Sequence, residues 1–306
     1  MGRVSANGLE FEYEEFGDPE SPPLILIMGL SLQMTAWPMP FCEALVNAGF
    51  RVIRFDNRDI GLSGKLHDRK APGMGQFFLS QLLGRPFRAP YSIVDMAQDT
   101  LGIMDALDIR SAHLVGASMG GMIAQNIAAS AGERVRSLTS IMSTSGDRKL
   151  PGPRWRVRRA VLGRRSRGKG KAAEIERLMK LFYIIGSSKY PRSDAQMREM
   201  VTRAVERSYY PQGFLRQLAA ILADDSRVER LQKIAVPTLV IHGDDDCLIP
   251  VEGGIHTAAC IPGARLEIIE GMGHDLPLPL LDELSAMIAA HAHGADKKQQ
   301  GKAAAA

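Results

Sequence analysis

Gly116-Ala117-Ser118-Met119-Gly120 sets one serine between two glycines, each two residues away. That spacing suits a nucleophile. A serine on a sharp strand-to-helix turn sits in strained backbone geometry, with neighbouring chain so close that side chains two positions off would clash. The five residues alone are a weak signal, and the flanks sharpen it. His113-Leu114-Val115 reads as a buried strand running into the turn, and Met122-Ile123-Ala124-Gln125 as the helix leaving it. The N-terminus of that helix would face developing negative charge.

A serine hydroxyl is a poor nucleophile at neutral pH and needs a base, which in turn needs an orienting acid. Gly271-Met272-Gly273-His274-Asp275 forms a glycine-flanked loop after the strand Leu266 to Ile269, and His274 is its imidazole. Of the other histidines, His113 and His242 lie on core strands, His67 and His256 have no supporting context, and His291 and His293 border the C-terminal tail. The acid is sought on the loop Gly243-Asp244-Asp245-Asp246-Cys247-Leu248-Ile249-Pro250, where three aspartates compete. Asp246 is preferred, because the turn needs residues between its glycine and an inward-pointing acid. Asp244 and Asp245 are the alternatives, with Asp147 more distant. An oxyanion needs two backbone N–H donors. The sequence offers Met119, directly after the serine, and Leu30, in the loop Met28-Gly29-Leu30 after the first buried strand.

These loops need a frame. Leu9, Phe11 and Tyr13 alternate with glutamates as in a half-exposed strand. Apolar strands are expected at 24–28, 51–55, 112–115, 135–142, 236–242 and 266–269. Helices are expected at 37–48, 92–107 (with Ser92 and Asp95 at capping-box spacing), 118–129, 252–260 and 280–291. Strand–helix alternation of this kind predicts an α/β fold with a mostly parallel, doubly wound sheet. Alternation lapses between 148 and 225, where Leu178, Leu181, Phe182, Ile184 and Ile185 form an apolar patch and Phe214, Leu218, Ile221 and Leu222 recur at helical spacing. The expected organisation is a core over 1–147, a helical cap over 148–225, a second core segment over 226–293, and a disordered tail over 294–306.

The order and spacing of the elbow, the Gly-x-x-Asp-x-x-x-Pro loop and the Gly-x-Gly-His loop resemble the α/β-hydrolase superfamily over about residues 10 to 290. The stretches 28–37 and 56–63, Met28-Gly29-Leu30-Ser31-Leu32-Gln33-Met34-Thr35-Ala36-Trp37 and Asp56-Asn57-Arg58-Asp59-Ile60-Gly61-Leu62-Ser63, resemble the aclacinomycin methylesterase-like group of esterases. Met28 departs from the histidine most members carry before the glycine; this alters side-chain hydrogen bonding in the loop and leaves its backbone donors in place. The resemblance implies a serine hydrolase acting through an acyl-enzyme on a carboxylic ester of a small hydrophobic molecule, with no metal or organic cofactor. Haloalkane dehalogenases and epoxide hydrolases of this fold carry an aspartate at the serine's position. The alternatives are peptidase, lactonase, acyltransferase or C–C hydrolase chemistry by the same triad, and a non-catalytic ligand receptor. The peptidase alternative would use Glu174, Glu176, Glu199 or Glu206 to hold a substrate amine.

Composition narrows the rest. At 306 residues with 45% hydrophobic and 24% charged content, the chain can bury a full core without staples. No apolar run reaches 18 residues, so no membrane span is expected. The glutamate-rich Met1 to Phe16 is not read as a secretory signal. Three cysteines without C-x-x-C spacing argue against a disulfide frame or zinc site and point to the reducing cytoplasm. Nine of the 38 basic residues fall between Arg154 and Lys171, so the net charge of +4 comes from one block. That block is read as solvated surface, and no nucleic-acid partner is expected.

Overall fold

The computed structural model describes residues 1–71, 73, 75–76, 87–162 and 170–304. The first strand, β1 (Gly2–Ala6), turns back on β2 (Leu9–Phe16) through Asn7 and Gly8, both with positive φ. Asn-Gly is a favoured two-residue hairpin turn because both central residues tolerate left-handed backbone. This strand was not anticipated, since Gly2–Ala6 is too short and polar to show a period.

From Pro23 onward strands and helices alternate. The elements are β3 (Pro23–Ile27), α1 (Met39–Asn47), β4 (Arg51–Phe55), α2 (Ile93–Ala106), β5 (Ala112–Ala117), α3 (Met119–Ser130) and β6 (Val135–Ile141). Ser92 and Asp95 form the reciprocal capping box that starts α2. Among the described residues four helices then intervene: α4 (Trp155–Leu162), α5 (Lys171–Ile185), α6 (Asp194–Arg207) and α7 (Pro211–Ala223). The short α8 (Val228–Leu231) leads to β7 (Thr238–Gly243), α9 (Glu252–Cys260), β8 (Arg265–Ile269) and α10 (Leu281–Ala304).

The eight strands lie in the order β1-β2-β4-β3-β5-β6-β7-β8, parallel from β4 to β8 and antiparallel at the β1–β2–β4 edge. Residues of α1 and α10, among them Phe41, Leu45, Leu284 and Ile288, pack on one face. Residues of α2, α3 and α8, including Met96, Ile103, Ile123, Ile127 and Leu231, pack on the other. Strand order reverses beside β3: β4 lies to one side of it and β5 to the other. In open α/β sheets ligands bind at such a switch point, beyond the carboxyl ends of the strands. The loops after β3 and β5 carry Leu30 and Ser118.

One expectation is corrected. The tail is not disordered from Gly294: α10 continues to Ala304, with Ala295 and Asp296 buried. Asp296 reaches His113 Nε2 at 3.3 Å and Arg136 Nε at 3.0 Å, so a polar segment is held by a hydrogen bond and an ion pair that a hydrophobic pattern does not reveal. In the basic block the described basic residues Arg154, Arg156, Arg158, Arg159 and Lys171 are exposed. Val157 in α4 is fully buried, and the Arg154 N–H donates to the Cys247 carbonyl at 3.0 Å. The part of the block at 163–169 lies outside the described residues.

The inserted helices have a small core of their own, Met179, Met197, Val201 and Val205, and are tied to the sheet by buried ions. Arg216 of α7 grips Asp59 with two bonds of 2.7 Å, both side chains being almost wholly buried. Arg207 of α6 donates to Asp56 at 2.7 Å and to Gln33 at 2.6 Å. The buried face of α7 is therefore Gly213, Arg216, Gln217, Ala219 and Ala220, while the apolar repeat at Phe214, Leu218 and Ile221 is only half-buried. Burial alone would raise the Asp59 carboxyl; the Arg216 guanidinium and the Leu66 N–H more than offset it and hold the group below its ordinary value. The pair is thus at full strength above the ordinary carboxylate pKa and is lost as pH falls through the lower folded-state value. Arg216→Met should cost about 3–5 kcal/mol, because it strands a buried carboxylate. Urea melts at pH 7 would measure this. An unchanged midpoint would show that the pair contributes nothing.

Candidate active site

The turn between β5 and α3 is built around its glycines. A Cβ on Gly116 would lie 2.2 Å from the Gly120 carbonyl oxygen, and one on Gly120 would lie 2.0 Å from the Ile27 carbonyl oxygen. Neither contact can be relieved, since both partners are backbone. The turn forces Ser118 to φ 55° and ψ −119°, a conformation costing roughly 1–3 kcal/mol for a residue with a Cβ. Two bonds hold it there: Ser118 N–H to the Ile141 carbonyl at 2.9 Å, and Ser143 Oγ–H to the Ser118 carbonyl at 2.9 Å.

The structure brings Ser118, His274 and Asp246 into one chain of hydrogen bonds. Ser118 Oγ lies 3.0 Å from His274 Nε2, and His274 Nδ1 lies 2.6 Å from Asp246 Oδ2. The imidazole is about 8% exposed and the carboxylate is fully buried. Asp246 Oδ1 accepts the N–H groups of Leu248 at 2.9 Å and Ile249 at 2.8 Å, which fixes the carboxylate's rotation. Burial alone would raise this carboxyl. The facing charge of His274, the hydrogen bonds of His242 and His274, and the Ile249 N–H outweigh it and hold the group below the usual carboxylate range.

The competing acids are engaged elsewhere. Asp244 Oδ1 accepts the Gly271 N–H at 2.6 Å, Asp245 faces the Ser188 N–H at 3.3 Å, and Asp147 lies 3.9 Å from His256. Glu174, Glu176 and Glu199 pair with Arg177, Arg198 and Arg203, which weighs against their holding a substrate amine.

The base loop is clamped from the inserted helices. His274 N–H donates to the Ile185 carbonyl at 2.7 Å, at the end of α5, and Gly273 N–H donates to Ser187 Oγ at 2.8 Å. Ser187 Oγ–H in turn donates to Asp275. A Cβ on Gly273 would meet the Ile185 carbonyl oxygen at 2.6 Å, so the glycine before His274 permits this approach.

Met119 opens α3, and the N–H groups of a helix's first turn have no intrahelical acceptor, leaving its donor available. A Cβ on Gly29 would sit 3.0 Å from Ser118 Cβ and 3.1 Å from the Ala117 carbonyl oxygen. The Gly29–Leu30 backbone therefore passes directly beside the serine. Sequence reasoning missed three residues around the site. His242 was read as core packing, yet its Nε2 lies 3.5 Å from Asp246 Oδ2 and bonds the Ile249 carbonyl at 2.8 Å; its place at the end of the strand feeding the acid loop was the available signal. Ser187 and Gln217 carried no signal, because they come from the insertion and meet the site only in three dimensions.

The sequence and the fold have counterparts among known proteins. A sequence model of the alpha/beta hydrolase fold matches residues 22–279, and the chain belongs to that family. It is 30% identical over 303 residues to rhodomycin D methylesterase of Streptomyces peucetius, spanning 92% of this chain and 94% of that one. The same enzyme of Streptomyces sp. strain C5 is 31% identical over 303 residues with the same coverage. Among solved structures, a meta-cleavage product hydrolase of Pseudomonas fluorescens IP01 superimposes with a TM-score of 0.75, covering 96% of this chain and 98% of that one at 23% identity. That likeness is one of fold. Among the described residues no helix is long and apolar enough to cross a membrane.

Proposed function

We propose that this protein is a serine hydrolase that cleaves a carboxylic ester of a small hydrophobic molecule through an acyl-enzyme. The observation that carries the reading is the continuous contact from Ser118 Oγ through His274 to Asp246 at the switch point of the sheet. Ser118 Oγ attacks the ester carbonyl carbon while its proton passes to His274 Nε2. Asp246 holds the imidazole by Nδ1–H and stabilises the imidazolium. The N–H groups of Met119 and Leu30 receive the oxyanion. The C–O bond then breaks, and the alcohol departs with the proton from His274. Water, deprotonated by the same imidazole, cleaves the acyl-enzyme and restores Ser118. The methylesterase relatives favour the methyl ester of a bulky substrate, with a small alcohol leaving. Cys42, Cys247 and Cys260 are all free thiols, which suits a reducing, cytoplasmic setting.

An alkyl fluorophosphonate should form one adduct per chain, located by peptide mass spectrometry on the segment containing Ser118. Labelling elsewhere, or none in protein that hydrolyses p-nitrophenyl acetate, would remove this reading.

A further inference from the structure

Gln217 lies in the middle of α7, on the inserted helices, yet its carboxamide is fully buried against the core. Its Oε1 accepts the Ser31 N–H at 2.8 Å and its Nε2–H donates to the Arg58 carbonyl at 2.9 Å. Ser31 stands at φ 65°, a conformation unfavourable for a residue with a Cβ, so the loop needs an external hold to keep it. The Arg58 carbonyl is a firm reference point: the Arg58 side chain is paired with Asp99, and the next residue, Asp59, is gripped by Arg216, the neighbour of Gln217.

We infer that Gln217 is a positioning residue for the oxyanion loop, acting through the peptide that follows Leu30; this rests on the reading of the Leu30 N–H as an oxyanion donor. Two peptide planes flank Leu30. The Gly29 carbonyl of the first accepts the Leu32 N–H at 3.3 Å. The Ser31 N–H of the second is held by Gln217. Rotating either plane breaks one of these bonds, and rotating the second also strands a buried carboxamide oxygen, which is costly. The direction of the Leu30 N–H follows from the pair. Seating of the inserted helices on Asp59 is thereby linked to the donor that stabilises the transition state.

The test compares Gln217→Leu and Gln217→Glu with wild type and with Arg198→Ala, a change on the exposed side of the insertion. Rates of p-nitrophenyl acetate hydrolysis are normalised to sites titrated with fluorophosphonate, and thermal melts are recorded alongside. Gln217→Leu should lower kcat about 10–100-fold, the scale of a misplacement of about 1 Å, with KM near the wild-type value. Affinity for an alkyl trifluoromethyl ketone, whose serine adduct carries an oxyanion, should fall in parallel. A carboxylate at 217 still accepts the Ser31 N–H but opposes the Arg58 carbonyl, whereas its protonated form restores the donor. The kcat ratio of Gln217→Glu to wild type should therefore rise as pH is lowered. Wild-type kcat in Gln217→Leu, or a loss confined to KM with unchanged ketone affinity, would overturn the inference. If Gln217→Leu does not fold, a flat pH ratio in Gln217→Glu overturns it equally. Turnover surviving in Ser118→Ala would instead defeat the underlying hydrolase reading; a dead Ser118→Ala beside a normal Gln217→Leu defeats only the role of Gln217.

Discussion

Asp246→Asn should lower kcat by about 10⁴ while the chain still folds. The reason lies in which oxygen does what. Oδ1 accepts two backbone N–H groups, from Leu248 and Ile249, so the asparagine must keep its carbonyl oxygen there. Its NH2 then occupies the place of Oδ2, facing His274 Nδ1, which becomes the acceptor. The imidazole is forced to carry its proton on Nε2, and the nitrogen beside Ser118 can no longer receive one. Asp244→Asn provides the contrast, because its single role, accepting the Gly271 N–H, can be filled by an amide oxygen. Steady-state kinetics on p-nitrophenyl acetate should show kcat near wild type for that variant. The reverse ranking would place the orienting acid at Asp244. Stability carries the same signature: the Asp246 carboxyl is held below its ordinary value, so its contribution is complete above that value and drains away as pH falls beneath it. The gap in melting temperature between wild type and Asp246→Asn should narrow under acid.

Ser118→Ala should cost about 10⁶ in kcat, the scale seen when a serine hydrolase loses its nucleophile. It should also abolish fluorophosphonate labelling. Residual turnover would come from the backbone donors and from binding alone. The same position tests the strain. Alanine retains the Cβ and hence the unfavourable φ of 55°, whereas glycine adopts it freely. Ser118→Gly should therefore be equally inactive but more stable than Ser118→Ala, by up to about 1–3 kcal/mol. Equal melting temperatures would show that the elbow stores no strain at this residue.

The path from sequence to this site was uneven for identifiable reasons. The elbow and the acid loop are legible because each follows a strand buried on both faces, and such strands write themselves as apolar runs; the base loop follows the partly exposed edge strand β8 and is legible from its Gly-x-Gly-His spacing. Glycine marks the places where chains nearly touch, and Gly116, Gly120 and Gly273 do so. The contacts from the insertion are written differently. On α7 the residues that reach the core are Arg216 and Gln217, and their partners Asp59, Ser31 and Arg58 lie more than 150 positions earlier. A polar helix face that is buried looks the same in sequence as one that is solvated. The hold on Asp296 escaped for the same reason: its hydrogen-bond partner His113 is 183 residues away.

The double hold of Arg216 and Gln217 bears on how segments of this kind could be traded between homologous enzymes. A chimaera that receives a foreign stretch between β6 and β7 acquires new walls around the ester. Unless the donor brings an arginine and a glutamine side by side at the matching turn of helix, it also arrives without the latch that orients the Ser31 peptide. Transplanted selectivity would then come with impaired turnover, and restoring those two neighbours is the natural first repair.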